Sequence, residues 1–228
     1  MTEAIIFDFD GVIVNSNPIK KNAFFDIFSH IKNSRKPIEE AIRKNPKKTR
    51  YGIIEEILKK LREKSLMEFG DLEAERDRYV SMYGETTEKE TIKAEEIRGA
   101  GQALADLSQK YPLFVLTSTI QESIDKVVKG RRLEKYFKGI YGADSSSYNK
   151  LQILERIARK HSFNPKKSVF VGDGKADYEC AKHHNMFFIG IINDTNDFET
   201  RKEIRYKLYN LEKLPKIIEE IEKKILIK

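Results

Sequence analysis

The segment "AIIFDFDGVIVNS", residues 4–16, constrains this chain more than any other stretch. Four apolar residues run to Phe7, and two carboxylates, Asp8 and Asp10, follow one residue apart beside Gly11. Extended backbone sends side chains i and i+2 to the same side, so Asp8 and Asp10 are expected to point one way while Phe9 points back into the core. Two like charges on one side cost free energy unless a cation or a shared proton relieves the repulsion. The spacing therefore suggests a divalent metal or an acid/base pair.

Similar apolar runs bounded by turn signals recur at Leu113 to Leu116, Ser168 to Val171 and Phe187 to Ile192, with a weaker one at Gly139 to Ala143. These read as buried parallel strands. Between them lie helical patterns such as Leu151, Leu154, Ile157 and Ala158, which share one apolar face. Strand and helix in alternation predict an α/β fold, a Rossmann-like doubly wound parallel sheet. Residues 18–92 break the alternation: "AFFDIFSHI", "YGIIEEILKKLREK" and "EAERDRYVSMYGE" are helical throughout. That is too long for one crossover helix, so 18–92 is expected to be an inserted helical domain with its exit near "GETTEKET", and 1–17 with 93–228 the α/β core. The tail from Leu211 reads as an amphipathic helix broken near Pro215.

With 228 residues, 39% of them hydrophobic, the chain can hold such a core and insertion. No apolar run approaches the roughly 20 residues of a membrane helix. The start, "MTEAII", lacks a basic n-region, and Cys180 is the only cysteine, so no disulfide can form within the chain. A soluble cytoplasmic protein is expected. The net charge of +7 fits nucleic acid, an anionic substrate, or merely solvated lysines. The basic residues scatter as "KKTR" (47–50), "KGRR" (129–132) and "NPKK" (164–167), interleaved with acids, and no RNP, zinc-finger or heptad signature appears. A nucleic-acid partner is not expected, and the oligomeric state is not readable.

In an open parallel sheet, ligands sit beyond the carboxyl ends of the strands. Four chemically useful stretches fall there: Asp8 to Gly11; "FVLTSTIQES", where Thr117 ends a strand and Thr119 with Glu122 forms a T-x-x-E capping box; "NK", placing Lys150 at the start of a helix; and "VFVGDGKADYECA", with Asp173 at a strand end and Asp177 at a helix start. Singly, each has a plain alternative as a local cap, an exposed helix residue or a turn. Caps and turns do not explain four acids and a lysine converging on one edge.

This constellation resembles the haloacid dehalogenase superfamily, whose Asp-x-Asp, Thr/Ser, Lys and G-D-x-x-x-D motifs stand here as "DFDGV", "LTS", "NK" and "GDGKAD". The helical insertion looks like the family's C1-type cap, and the phosphoglycolate phosphatase and beta-phosphoglucomutase branch is the most similar. The resemblance implies Mg²⁺-dependent hydrolysis of a small phosphomonoester through an aspartyl-phosphate. Asp8 would be the nucleophile and Asp10 the acid and base. Thr117, with Ser118 as its neighbouring candidate, and Lys150 would bind the phosphoryl oxygens. Asp8, Asp10 through its carbonyl and Asp173 would hold Mg²⁺, with Asp177 supporting them. Dehalogenase members lack the second acid, so Asp10 favours phosphoryl transfer.

A phosphomutase is the alternative. "KKTR" looks like the mutase branch's G-x-S-R segment, with Thr49 and Arg50 at its Ser-Arg positions, where a guanidinium could grip a second anion of the substrate. A solvated arginine opening a helix is the plain alternative. Lysine in place of the glycine, and Lys20 where the mutase has a cap-side histidine, count against it. A silent anion-binding or nucleic-acid-binding protein is the remote alternative. Intact charged motifs argue against the former.

Overall fold

The computed structural model describes residues 1–44, 49–143 and 149–227. Six strands form one parallel sheet: β1 (Ile5–Phe7), β2 (Leu113–Ile120), β3 (Gly139–Ala143), β4 (Val169–Gly172), β5 (Phe187–Ile191) and β6 (Tyr206–Leu208). Their order is β3-β2-β1-β4-β5-β6. The chain winds outward from β1 to β3, returns to the other side of β1 for β4, and continues to β6. The order thus reverses between β1 and β4, which is where a doubly wound sheet opens its ligand crevice. Ile5 is level with Leu113 on one side and Val169 on the other; β1 and β4 end within one residue of each other, while β2 runs on to Ile120.

Burial on both faces explains the unbroken apolar runs. Ile5, Phe7 and Phe9 pack into one core with α5 (Ala100–Ser108), α6 (Gln121–Gly130) and α9 (Leu214–Ile227). Ala4 and Ile6 pack into the opposite core with α7 (Lys150–His161) and α8 (Lys175–His183). β1 stops at Phe7, yet the alternation carries on to Phe9, whose side chain is fully buried.

The chain divides into two compact units, Met1–Asn17 with Ile92–Lys228, and Pro18–Thr91. The second unit contains most of α1 (Asn17–Asp26), α2 (Arg35–Lys44), α3 (Arg50–Glu63) and most of α4 (Leu72–Lys93). Its core is an aromatic and aliphatic cluster: Ile54, Ile57, Leu58 and Leu61 line one face of α3, and Phe28 stacks on Tyr79 with ring centroids 4.2 Å apart. Tyr79 is fully buried, and its hydroxyl shares a 3.2 Å hydrogen bond with His30 Nε2.

Three local expectations need correction. β6 was not anticipated, because "YKL" is three residues with a lysine in the middle; short length and lysine suit an edge strand. α9 is unbroken: Pro215 stands in its first turn, where the missing N–H would have no helical partner anyway. The helical unit ends at Thr91, in the last turn of α4, which runs on to Lys93. The Thr119–Glu122 capping box does not form, because β2 extends to Ile120 and α6 starts only at Gln121 without a side-chain cap. Among the described residues, no helix is long and apolar enough to cross a membrane.

Removing the Tyr79 ring leaves a cavity against Phe28. Tyr79→Ala should lower stability to urea by about 3–5 kcal/mol. Tyr79→Phe, which loses only the hydroxyl contact, should cost about 1 kcal/mol. Equal stabilities for the two variants would contradict this account of the helical core.

Candidate active site

Among the described residues, five charged residues keep no more than 9% of their surface exposed: Asp8, Asp10, Lys150, Asp173 and Asp177. All five belong to the unit that holds the sheet: ion pairs join Lys150 to Asp8 and Asp177, Asp173 brings a carboxylate oxygen near both of those acids, and Asp10 is close enough for its charge to act on Asp8. Asp8 follows β1, Asp173 follows β4, Asp177 lies in the first turn of α8, and Lys150 opens α7. Asn149 caps α7, its side chain accepting from the Leu151 and Gln152 amides, and so fixes where Lys150 starts.

Lys150 faces two of these acids. Its Nζ donates to Asp177 Oδ1 and stands 3.5 Å from Asp8 Oδ2. The other oxygen of Asp177 accepts the Gly174 amide at 2.9 Å, closing the start of α8. Both Asp177 oxygens are thus engaged, which makes it a holder of Lys150 and of the helix start. Asp8, Asp173 and Asp177 each bring a carboxylate oxygen to within 4.8 Å of the others.

Asp10 is gripped by hydroxyls. Ser16 Oγ donates to Oδ1 at 2.6 Å and Thr119 Oγ1 to Oδ2 at 2.8 Å, with Thr117 Oγ1 at 3.5 Å from the same oxygen. Strand alternation places Thr117 and Thr119 on one side and Ser118 on the other, and Ser118 is exposed while Thr117 is buried. Asp173 Oδ2 accepts two side-chain amides, Asn17 Nδ2 and Asn193 Nδ2, each at 2.7 Å. Gly11 makes room for this pair. It has φ +75°, and a Cβ there would lie 2.2 Å from Asp173 Oδ2 and 2.3 Å from Asn17 Nδ2.

Crowding acids in a dry site raises their pKa values. Burial pushes the Asp8 carboxyl up to about 7 against the pull of Lys150, with the charges of Asp177 and Asp10 adding to the rise. Asp173 is pushed up to about 6, again by burial first and then by the charge of Asp8, with the Asn193 and Asn17 hydrogen bonds opposing.

The structure brings together Asp8, Asp10, Thr117, Lys150, Asp173 and Asp177. Arg50 and Lys20 lie in the helical unit. Arg50 opens α3 with its guanidinium 5.5 Å from the Tyr83 ring, and the Lys20 carbonyl accepts the Tyr83 hydroxyl at 3.0 Å. Thr49 is the N-cap of α3 without a side-chain cap bond, and Lys47 and Lys48 of the same segment lie outside the described residues. Sequence reasoning missed Ser16, Asn17 and Asn193 and assigned Thr119 a different task. The available signal was that these short polar residues follow strands at the ligand edge.

The sequence profile of the haloacid dehalogenase-like hydrolases matches residues 5–191. Comparison with curated proteins finds no match. Several solved structures share the fold. A beta-phosphoglucomutase from Clostridium difficile is 20% identical, with a TM-score of 0.73 over 100% of both chains. A protein described as a predicted phosphoglycolate phosphatase from Haemophilus somnus is 15% identical, with a TM-score of 0.73 over 94% of this chain and 97% of that one. The HAD-hydrolase YfnB from Bacillus subtilis, in a magnesium-bound structure, is 18% identical, with a TM-score of 0.70 over 96% and 99%. The matched span takes in β1 through β5 and every residue of the carboxylate cluster, and the chain belongs to the haloacid dehalogenase-like hydrolase family.

Proposed function

We propose that this hydrolase is a Mg²⁺-dependent phosphatase that acts on a small phosphorylated metabolite through an aspartyl-phosphate on Asp8. The observation that carries the reading is the clustering of buried charge at the site: among the described residues, four buried carboxylates stand with one buried ammonium. Carboxylates gathered in this way suit a divalent cation, and their oxygen-only donor set suits Mg²⁺. The Asp8 and Asp173 carboxylates and the Asp10 carbonyl would hold the ion, with Asp177 keeping Lys150 and the start of α8 in place. Bound there, Mg²⁺ would neutralise the phosphoryl oxygens and let an anion approach the carboxylates.

In the first step an Asp8 carboxylate oxygen bonds to phosphorus while the ester P–O bond breaks. Asp10, oriented by Ser16 and Thr119, gives its proton to the departing alkoxide. In the second step Asp10 takes a proton from water, whose oxygen attacks phosphorus; phosphate leaves and the Asp8 carboxylate returns. Lys150 and the Thr117 hydroxyl act on the phosphoryl oxygens, the positioning and neutralisation on which phosphoryl transfer depends. We assign the helical unit, 18–92, the role of a cap that selects the substrate and excludes water. Arg50 and Lys20 are its candidate substrate contacts.

Phosphate release from a panel of small phosphomonoesters tests the reading. Release should require Mg²⁺ and fall by at least about a thousandfold in Asp8→Asn, as expected when the covalent nucleophile is removed. Substantial activity in that variant would contradict the nucleophile assignment. Isomerisation of beta-glucose 1-phosphate with a bisphosphate activator, without net phosphate release, would move the protein to the mutases.

The raised pKa values of Asp8 and Asp173 give a second test. Both groups hold protons more tightly folded than unfolded. The stability they contribute is present below about pH 4 and is lost as pH rises through about 6 to 7. In chelator-treated protein, Asp8→Asn should therefore be more stable than wild type at pH 8 by more than about 1 kcal/mol, since each pKa unit is worth about 1.4 kcal/mol. The gap should close towards pH 4, and Mg²⁺ should stabilise wild type at pH 8 far more than at pH 5. A gap independent of pH would contradict the electrostatic account.

A further inference from the structure

Two turns beyond Asp177, the end of α8 meets the middle of α7. Glu155 on α7, His183 at the last position of α8 and His184 just after it each bring a ligand atom to within 4.8 Å of the others. The His184 side chain is only 8% exposed. Its Nδ1 lies 2.9 Å from the Cys180 carbonyl oxygen, which can only accept, so Nδ1 carries a hydrogen. In the neutral ring Nε2 is then a bare lone pair. That atom is buried without a hydrogen-bond partner and faces Glu155 Oε1 at 3.9 Å. Two acceptors confronting each other leave a buried polar atom unsatisfied, at a cost that a cation between them would remove. The other Glu155 oxygen, Oε2, stands 3.9 Å from the exposed Arg159 guanidinium, which leaves Oε1 as the oxygen that faces the rings. The His183 ring lies edge-on to that of His184, with centroids 4.9 Å apart, and supplies a second imidazole.

We propose that Glu155, His183 and His184 form a second metal site, for a transition-metal ion of the zinc type, separate from the carboxylate cluster. Two imidazoles and one carboxylate suit zinc or cobalt and not Mg²⁺, which prefers oxygen alone. A ligating histidine commonly donates its other ring N–H to a carbonyl, which is what His184 does with Cys180. The site joins the two helices that carry Lys150 and Asp177, the buried ion pair beside Asp8. Metal binding there clips α7 to α8 and so stabilises the platform on which Lys150 is held.

Chelator-treated full-length protein titrated with Co²⁺, followed by visible absorption, tests this, with thermal melts in Zn²⁺ as a second readout. His183 and Glu155 are exposed, so His183→Ala and Glu155→Gln should fold normally. Asp173→Asn disables the carboxylate cluster as a competing site. The expected result is one Co²⁺ with nitrogen-ligand bands in wild type and in Asp173→Asn, and affinity reduced at least about tenfold in both His183→Ala and Glu155→Gln. Zn²⁺ should raise the melting temperature of Asp173→Asn but not of the double variant Asp173→Asn/His183→Ala, in which the carboxylate cluster cannot compete. Unchanged Co²⁺ affinity in either His183→Ala or Glu155→Gln, or loss of binding in Asp173→Asn, would overturn the proposal and leave His184 and Glu155 as an ion pair of a protonated ring.

Discussion

The charge balance around Lys150 is the constraint on which the site depends. One buried ammonium faces Asp177 directly and Asp8 at 3.5 Å, while Asp10 and Asp173 add two further carboxylates to the same crevice. Burying an unpaired charge costs several kcal/mol, so such a cluster persists only where the fold holds it by other means. Here the means are visible. Ser16 and Thr119 hold Asp10, Asn17 and Asn193 hold Asp173, and the Gly174 amide holds Asp177. The rest of the free energy comes from the two apolar layers that fix the sheet between them.

Topology turns that balance into a site. Because the strand order reverses between β1 and β4, the residues after those two strands open onto the same crevice, although 165 positions separate Asp8 from Asp173 in the chain. The same winding brings β2 alongside β1, so its Thr117 and Thr119 reach Asp10. Gly11 is the steric counterpart: its left-handed backbone and missing side chain leave the space in which Asp173 meets Asn17. The crevice's carboxylates and lysine support the proposed binding of a cation together with a phosphoryl group, which would link the fold of a haloacid dehalogenase-like hydrolase to that chemistry.

Much of the core was legible because its signals are local. Unbroken apolar runs mark strands buried on both faces, and Asp8, Thr117 and Asp173 stand at the ends of such runs. Lys150 and Asp177 stand at helix starts that the apolar periodicity locates. The supporting residues were not legible, since their meaning depends on distant partners: Asn17 reaches Asp173 across 156 positions, and nothing near "NSNP" announces it. Thr119 shows how a local rule loses to tertiary structure. Its T-x-x-E spacing fits a capping box, but β2 continues past it and Asp10 takes its hydroxyl instead. β6 escaped notice for a related reason, since an edge strand of three residues has too few positions to show a pattern.

The central claim is that Asp8 receives the phosphoryl group, and the most direct measurement is to trap it there. Protein incubated with Mg²⁺ and radiolabelled acetyl phosphate, quenched in acid and digested, should carry label on the peptide containing residues 4–16. The label should be absent from Asp8→Asn and from chelator-treated protein. Label on another peptide, or label that survives in Asp8→Asn, would contradict the account.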